Sequence, residues 1–417
     1  MLKKIAWNTV VQLIGKALAV VVSLITTGIL TRKLGAVVYG QYILITSISI
    51  FFDALADFGT SIIGVREAAK EENEEGRVKV WSNVAILRLL MAFFSLSLGV
   101  ILIYSWPDLK EIRIETLLAW SMMVFTSLAG SLGIVWQTRI KMETKVIVEV
   151  LFPTVFLLCL WRYKGEISLI WVFGTYLVAR IVTLAGGWWA ARGTINFRLL
   201  DKKLIRELVK MSWPMGVYLL VFSAYDRAID SMMIRRFFGS SEVAWYGLAY
   251  KIYGTLIQPA YFLVIGIFPM LSKPFPNPSL DRAGREEKSN QKDRVFNLAA
   301  IVLLLSGITV MLGVWIFAPL MVQILAGSQF GASVGVLRTL AVALLFAYLG
   351  HLVGFTLISK EGQRAMLALG ALVMVFNFVG NLVAIPYFGI MGAAVVTVLT
   401  EALSLILMSW KLKQIWK

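Results

Sequence analysis

The sequence predicts an all-α integral membrane protein, and three observations support this. Apolar residues make up 59% of the 417 residues and charged residues only 15%. The mean hydropathy is +0.79, which lies far outside the range of soluble domains. Long apolar runs separated by short polar stretches recur along the whole chain, and most of them are long enough to cross a bilayer as a helix.

Twelve apolar segments can be delimited, which predicts about twelve transmembrane helices. We expect Ser212 to cap the seventh helix, with Pro214 in its first turn. Pro153 interrupts the short fifth segment, and Pro259 and Pro269 should bend the eighth because proline removes a backbone donor. The segments are 8–30, 41–65, 82–104, 117–138, 146–161, 168–190, 213–234, 243–272, 296–318, 334–358, 365–387 and 390–410.

Lys and Arg are concentrated in alternate loops, of which 191–212 and 273–295 are the most basic. By the positive-inside rule, these loops and both termini are predicted to be cytoplasmic in a multi-pass protein of the cytoplasmic membrane. The net charge of +16 then reflects topology and contact with anionic membrane lipid. We therefore expect no nucleic-acid partner.

An internal repeat divides the chain. LTRKLGAVVYGQY (30–42) follows the first segment, and IRRFFGSSEVAWYGLAY (234–250) follows the seventh. Both contain a basic pair, then a glycine, then a Tyr-Gly pair that opens the next helix. We therefore predict two six-helix bundles, residues 1–200 and 201–417, related as a parallel repeat. In transporters built from such halves, the substrate site lies between them.

The seventh segment contains Asp226, Arg227 and Asp230 within its apolar run. Each ionised group at bilayer depth costs about 2.5–3.5 kcal/mol, so these side chains should face protein, an ion or water. Asp226 and Asp230 are four residues apart and share a helix face. Two interpretations stay open at this point: an internal ion pair that holds helices together, or a cation or substrate site of a transporter.

Four passages, spread over both halves, resemble a known family. They are LTRKLGAVVYGQY with Arg66-Glu67, Asp230-SMMIRRFFG leading to Tyr246-Gly247, Asn377 to Asn381 before Ile385-Pro386, and Phe388 to Ala394 followed by Thr397 and Glu401. In this order the chain resembles the polysaccharide-transport (Wzx-type) flippases of the multidrug/oligosaccharidyl-lipid/polysaccharide exporter superfamily. The resemblance implies two helical bundles that form a V-shaped central cavity, which opens alternately to either side.

The resemblance also implies a substrate. It would be a polyprenyl-pyrophosphate-linked oligosaccharide, turned from the inner to the outer leaflet, with other membrane proteins of glycan assembly as further partners. Helices one, two, seven and eight line the cavity in this fold. We therefore expect Lys16, Arg227 and Lys251 to face the phosphates. Arg88, Arg180 and Arg338 are placed nearer to span ends and interpreted as snorkelling residues.

Asp53 and Asp57 lie on one face of the second segment. We predict that both contact the substrate through its sugar hydroxyls, and pairing of an aspartate with Arg88 is the alternative.

Coupling to an ion is the other function that the resemblance implies. In sodium-coupled lipid II flippases the matching residues bind the ion, and in this chain they are Asp230, Asn377, Asn381 and Thr397. Asn381 stands where that pattern has Asp, which removes one negative charge from the site. Proton coupling through Glu401 or Asp226 is one alternative, and simple hydrogen bonding between helices is another. No other cofactor or metal is expected.

Other classes of protein fit less well. A multidrug/cation antiporter of the same superfamily is the nearest alternative. A membrane polysaccharide polymerase or ligase would need a large external loop, which the predicted topology lacks, and a non-transporting scaffold has no feature in its favour. The sequence has no phosphate-cradling glycine loop, and His351, the single histidine, cannot form a metal site alone. We therefore predict that the protein is not an enzyme.

Overall fold

A computed structural model describes residues 2–223, 228–272, 282–359 and 363–416. Within these ranges all regular secondary structure is helical. The contacts divide the chain into two compact units, Met1–Arg236 and Phe237–Lys417. The helices are α1 (Leu2–Asp57), α2 (Thr60–Lys70), α3 (Glu74–Ser105), α4 (Arg113–Thr138), α5 (Met142–Arg162), α6 (Leu169–Ala190), α7 (Lys202–Ser223), α8 (Ile229–Phe237), α9 (Ser240–Leu256), α10 (Gln258–Ser272), α11 (Arg282–Ala326), α12 (Ser333–Ser359) and α13 (Gln363–Trp416).

Eight helical segments of the described chain are long and apolar enough to cross a membrane. Two of them, Val10–Lys70 with 61 residues and Ala365–Ile415 with 51, are far longer than the roughly 20 residues that one crossing needs. The remaining six are Glu74–Ser105, Pro107–Thr138, Met142–Arg162, Leu169–Ala190, Asp293–Ala326 and Ser333–Ile358.

A glycine interrupts each of the two longest helices. Gly35 in α1 has φ 69° and ψ 175°, and Gly389 in α13 has φ 56° and ψ −140°. Glycine adopts such positive φ values readily because it has no Cβ. The two breaks fall where the sequence separates segment one from two and segment eleven from twelve. The total of twelve spans stays a prediction.

The N-terminal unit is built around α1, which packs on α3, α4, α5 and α7. One apolar cluster of this unit joins α2, α3, α4 and α7 and includes the fully buried Trp81. α7 belongs to this unit because it packs on α1, α2 and α3. The boundary between units therefore follows Arg236, and the proposed domain division at residue 200 stays a prediction.

The loop before α7 is fixed to α3 by hydrogen bonds. Asn83 donates from Nδ2 to the Leu199 carbonyl (3.0 Å) and accepts from the Asp201 amide (2.8 Å). Asp201 in turn caps α7, because its carboxylate accepts hydrogen bonds from the amides of Lys203 (2.9 Å) and Leu204 (3.3 Å). These contacts set the entry point of α7 against α3.

In the C-terminal unit, α12 packs on α9, α10, α11 and α13. Its buried face is uniformly apolar or small, with Leu340, Leu344 and Leu352 at 1% exposure or less. Tyr348 is also buried and donates a hydrogen bond to the Leu256 carbonyl where α9 ends (2.7 Å). α12 thus packs on both α9 and α13, the helices that carry the polar cluster described below.

The eighth segment is interrupted at Pro259 as predicted, since α9 ends at Leu256 and α10 begins at Gln258, one residue before Pro259. α10 then continues through Pro269. Two other local predictions are wrong. α7 begins at Lys202 rather than after Ser212, so Ser212 is buried within the helix and caps nothing. Pro153 lies inside a continuous α5. Neither Pro153 nor Pro214 breaks its helix, because packing in a membrane protein can offset the lost backbone donor.

Candidate substrate and ion sites

A buried ion pair joins α1 to α3 in the N-terminal unit. Arg88, 5% exposed, contacts Asp57 through Nη1. The same guanidinium donates to Ser61 Oγ (2.6 Å) and, through Nε, to the Ser127 carbonyl (3.0 Å). Ser61 also bonds to Asp57. The Arg88 side chain is buried, and 20% of the Asp57 side chain stays exposed. This ion pair is the alternative that the sequence analysis left open for the two aspartates.

Asp53 lies one helical turn before Asp57 and differs from it in exposure. Its carboxylate is exposed on α1 and interacts electrostatically with Arg180 of α6 and, more weakly, with Arg88. Arg180 is half-buried, and its guanidinium carbon lies 3.6 Å from the centre of the Phe152 ring. Asp53 and Arg180 are thus opposite charges within electrostatic range of each other, near the Asp57–Arg88 ion pair.

Aromatic side chains from α1, α5 and α6 form a cluster that contacts Arg180 through the Phe152 ring. Tyr42 and Tyr176 are within hydrogen-bonding distance through their hydroxyls (3.3 Å). The ring of Tyr42 stacks on Phe173 at 5.7 Å, and Tyr176 packs edge-on against Phe152 at 4.9 Å. Tyrosine rings combine an apolar face with a polar hydroxyl, so this group can contact both faces and hydroxyls of a sugar.

The sequence analysis missed Arg180 as a site candidate. Its assignment to a span end is wrong, because it lies near the middle of the 22-residue α6. Arg88 is likewise near the middle of the 32-residue α3 and does not snorkel. The signal was present: a charge at mid-span must face protein or water. Arg338, by contrast, lies in the first turns of α12 and bonds to the Trp315 carbonyl (2.9 Å).

The other predicted residues of this unit are dispersed. Lys16 is exposed on the first half of α1. Asp230 is 1% exposed in the first turn of α8, next to Ser231, whose hydroxyl is 3.3 Å from that of Ser47. Arg227 and its neighbour Asp226 fall outside the described residues.

A buried polar cluster lies on α13 in the C-terminal unit. Asn381 Nδ2 donates to Asn377 Oδ1 (3.1 Å), and Asn377 Nδ2 donates to Thr400 Oγ1 (3.1 Å). Asn377 and Thr400 come from opposite sides of the break at Gly389, so the kink brings the two halves of α13 together. Asn381 is 0% exposed and Thr397 7%. The cluster offers several uncharged oxygens.

Tyrosines of α9 extend this cluster. The Tyr246 hydroxyl is 3.4 Å from Thr397 Oγ1, and Thr397 donates to the Ala393 carbonyl (3.0 Å). The Tyr253 hydroxyl donates to Glu401 (3.4 Å). Lys251 is half-buried on the same helix. Three of the four predicted ion-coupling residues thus belong to the C-terminal unit, while Asp230 belongs to the N-terminal one.

No group of three or more His, Cys, Asp or Glu side chains is arranged to hold a metal among the described residues. His351 packs edge-on against Tyr261 at 6.0 Å, and its Nδ1 is 2.8 Å from the Ala347 carbonyl. These contacts place it inside the helix packing of the C-terminal unit.

Membrane transporters are among the solved structures that share this fold. The inward-facing form of a multidrug resistance MATE family transporter of the MOP superfamily matches with a TM-score of 0.78 at 14% identity, over 94% of each chain. The lipid II flippase MurJ in an inward closed conformation matches at 0.77 and 12% identity, over 98% of this chain and 87% of that one. A MOP superfamily transporter from Pyrococcus furiosus matches at 0.66 and 15%, over 99% and 95%.

The sequence also identifies the family. Residues 1–275 match the polysaccharide biosynthesis protein family, which is more than half of the 417 residues. The chain therefore belongs to that family. A comparison with curated protein sequences gave no significant match.

The chain thus combines membership of the polysaccharide biosynthesis protein family with a multi-pass helical fold that it shares with solved membrane transporters. The predicted family and the all-α membrane fold are confirmed. The V-shaped cavity stays a prediction.

Proposed function

We propose that the protein is a flippase that moves a polyprenyl-pyrophosphate-linked oligosaccharide from the inner to the outer leaflet of the cytoplasmic membrane. The observation that carries this proposal is membership of the polysaccharide biosynthesis family over residues 1–275. A fold shared with a lipid II flippase is consistent with it. Both termini are proposed to be cytoplasmic, as the positive-inside rule favours.

The chemistry of the substrate explains why a protein is needed. A pyrophosphate and hydroxyl-rich sugars lose their hydration in hydrocarbon, at a cost far above what thermal motion supplies. Cations at bilayer depth can replace water around the phosphates. We assign that role to Lys16, Lys251 and Arg227. Lysine acts as a point charge, whereas arginine can bind two phosphate oxygens at once.

The sugar would be held by Asp53 and its neighbours in the N-terminal unit. Asp53 is exposed and can accept hydrogen bonds from hydroxyls, while Arg180 can donate them. The rings of Tyr42 and Tyr176 offer surfaces for the apolar faces of a sugar. Asp57 was also predicted to contact the substrate, and its pair with Arg88 favours instead a role in fixing the position of Asp53.

Coupling to a cation is part of the proposal. Asn377, Asn381 and Thr397 offer uncharged oxygens of the kind that hard cations prefer, and Asp230 is the matching carboxylate of the N-terminal unit. Sodium and protons are both candidates, since Glu401 is a titratable group at the edge of the same cluster. An ion can drive alternating access only by binding one conformation more tightly than the other.

The test is a flipping assay in proteoliposomes. A fluorescent polyprenyl-pyrophosphate disaccharide is placed in both leaflets, and external dithionite bleaches what is accessible. With the wild-type protein we expect dithionite to bleach more than the half of the fluorescent lipid that lies in the outer leaflet. With Lys251→Ala we expect the bleached fraction to equal that of liposomes without protein. Lys110→Ala, an exposed lysine outside the predicted site, should behave like the wild type. Normal flipping by Lys251→Ala at equal protein level would remove Lys251 from the mechanism.

A multidrug/cation antiporter is the second candidate, favoured by the fold shared with a multidrug resistance MATE family transporter. The same liposomes distinguish the two. Ion-driven accumulation of a lipophilic cation such as ethidium, without flipping of the lipid-linked sugar, would replace the flippase proposal by this one.

A further inference from the structure

A groove lies on the surface of the N-terminal unit, between the end of α5 and the start of α6. Its volume is about 870 Å³, within the size range of small-ligand sites. The lining is mostly apolar and includes Leu158, Trp161, Trp171 and Val178, with Arg162 and Tyr163 at one end. None of these residues belongs to the substrate or ion sites described above.

The groove has the dimensions of one leaflet. The groove extends along α6 from Trp171 to Val178, a distance of about 10 Å for seven residues of helix. Half of a membrane's hydrocarbon core is about 15 Å thick, so the groove fits within one leaflet. Trp161 is 75% exposed, and Tyr163 stacks on Trp171 with ring centres 4.4 Å apart. Aromatic side chains of this kind mark the level of the lipid headgroups. The apolar part therefore lies at the depth of acyl chains.

The headgroup end of the groove is positively charged. Arg162 and Lys164 have no ion pair among the described residues, and both are exposed. Lys33, from the end of the first half of α1, donates from its ammonium to the Tyr163 carbonyl (2.6 Å). Glu166 is the single acidic residue of the connecting loop 163–168. Three cations against one carboxylate favour an anionic headgroup over a zwitterionic one.

The floor of the groove is Gly174. A Cβ built on this residue meets no atom within 4 Å, so the space beside it is available to a ligand. The glycine thus keeps the groove open without being required for packing.

We infer that this groove binds one molecule of an anionic phospholipid, with its phosphate at Arg162 and an acyl chain along Gly174. The site is independent of the flippase proposal, because none of its lining residues belongs to the proposed substrate or ion sites. Its occupant would bridge α5 to α6 and to the end of the first half of α1.

Two variants test the site from opposite ends. Gly174→Phe fills the acyl part of the groove, and Arg162→Gln removes the headgroup cation. Gly313→Phe is the matched control for the first, since a Cβ there also meets no atom within 4 Å. Lys110→Gln is the control for the second, because it removes one exposed charge that lies outside the groove.

The measurement is native mass spectrometry of protein released from nanodiscs of equal parts phosphatidylglycerol and phosphatidylcholine. The wild type and both controls should retain one phosphatidylglycerol in preference to phosphatidylcholine, and both test variants should lose that preference.

Cys159, the sole cysteine, lines the groove. Its alkylation by a small uncharged maleimide should be several-fold slower in phosphatidylglycerol discs than in phosphatidylcholine discs, and Arg162→Gln should remove the difference.

Three results would overturn the inference. They are no lipid preference in the wild type, unchanged retention in both test variants, or displacement of phosphatidylglycerol by an equimolar polyprenyl phosphate. If Gly174→Phe fails to fold, Arg162→Gln and the Cys159 alkylation rate still decide the question.

Discussion

At the scale of single residues, the N-terminal unit contains two aspartates one turn apart with different surroundings. Asp57 is enclosed by Arg88 and Ser61, whereas Asp53 is exposed and lies near Arg180. The sequence places both on the same helix face but cannot tell which one is paired, because the partners come from helices far away in the chain. The structure makes Asp57 a packing residue and leaves Asp53 accessible.

The buried pair yields a stability prediction. Arg88→Met leaves the Asp57 carboxylate without its cation and the Ser127 carbonyl without its donor, and such a loss costs about 3–5 kcal/mol. The double variant Arg88→Met with Asp57→Asn should recover part of that loss, since no unpaired charge then remains buried. Thermal unfolding in detergent measures both.

Arg338→Met is the matched control. Arg338 contacts a backbone carbonyl and the Trp315 ring rather than a carboxylate, so its loss should lower the unfolding temperature much less. Equal effects of Arg88→Met and Arg338→Met would contradict the assignment of a buried ion pair.

At the scale of elements, the breaks between helices matter as much as the helices. Gly35 and Gly389 divide the two longest helices at points that the sequence predicts as segment boundaries. The break at Gly389 also brings Asn377 next to Thr400. The start of the seventh helix was predicted wrongly. α7 begins at Lys202, within the basic stretch that the sequence analysis assigned to a loop. It begins there because Asp201 caps it.

The start of α7 yields a pH prediction. Lys79, which precedes the predicted segment 82–104, forms an ion pair at 2.8 Å with Asp201 in the loop before α7. The pKa of Asp201 is lowered below its usual 3.8, mainly because its carboxylate accepts a hydrogen bond from Lys79. The hydrogen bonds from the amides of Leu204 and Lys203 lower the pKa further. The same bond raises the pKa of Lys79 above its usual 10.5.

The sign of each shift fixes the pH window. The lowered pKa of Asp201 stabilises the fold above pH 3.8, and that contribution is lost as the pH falls through the still lower folded value. The raised pKa of Lys79 stabilises the fold below pH 10.5, and that contribution is lost as the pH rises through the folded value. Lys79→Gln should therefore lower the unfolding temperature at neutral pH, with a difference from wild type that shrinks in acid below 3.8.

Lys202→Gln removes the same charge from an exposed neighbour and should leave the unfolding temperature almost unchanged. A Lys79→Gln deficit that stays constant through the acid range would show that the pair does not stabilise the loop.

At the scale of the whole molecule, the ion-coupling proposal yields a prediction about charge. The polar cluster of the C-terminal unit contains Asn381, 0% exposed, where the resembling sodium-coupled flippases have Asp. Asn381→Asp adds a negative charge among oxygens suited to a hard cation. Half-maximal flipping should then require several-fold less sodium than in the wild type, as measured in the dithionite assay with potassium as the balancing ion.

Asn381→Leu, of similar volume, is the companion variant and should abolish any sodium dependence. A protein whose flipping is unaffected by sodium in all three forms would exclude sodium coupling through this cluster, and a pH gradient would then be the next variable to test.

The sequence alone determined the membrane character, the helical fold and the family, because these depend on composition, on the length of apolar runs and on local motifs. The resemblance also pointed to Asn377, Asn381 and Thr397 as ion-site candidates, and their role in ion binding stays a prediction.

The tertiary structure decided which charges are paired and which are accessible, where α7 begins, and that Arg180 lies beside Asp53. These facts depend on contacts between residues distant in sequence, such as Asp57 with Arg88 or Lys33 with Tyr163. No local pattern encodes such contacts, since the same apolar periodicity is compatible with many ways of packing one helix against another.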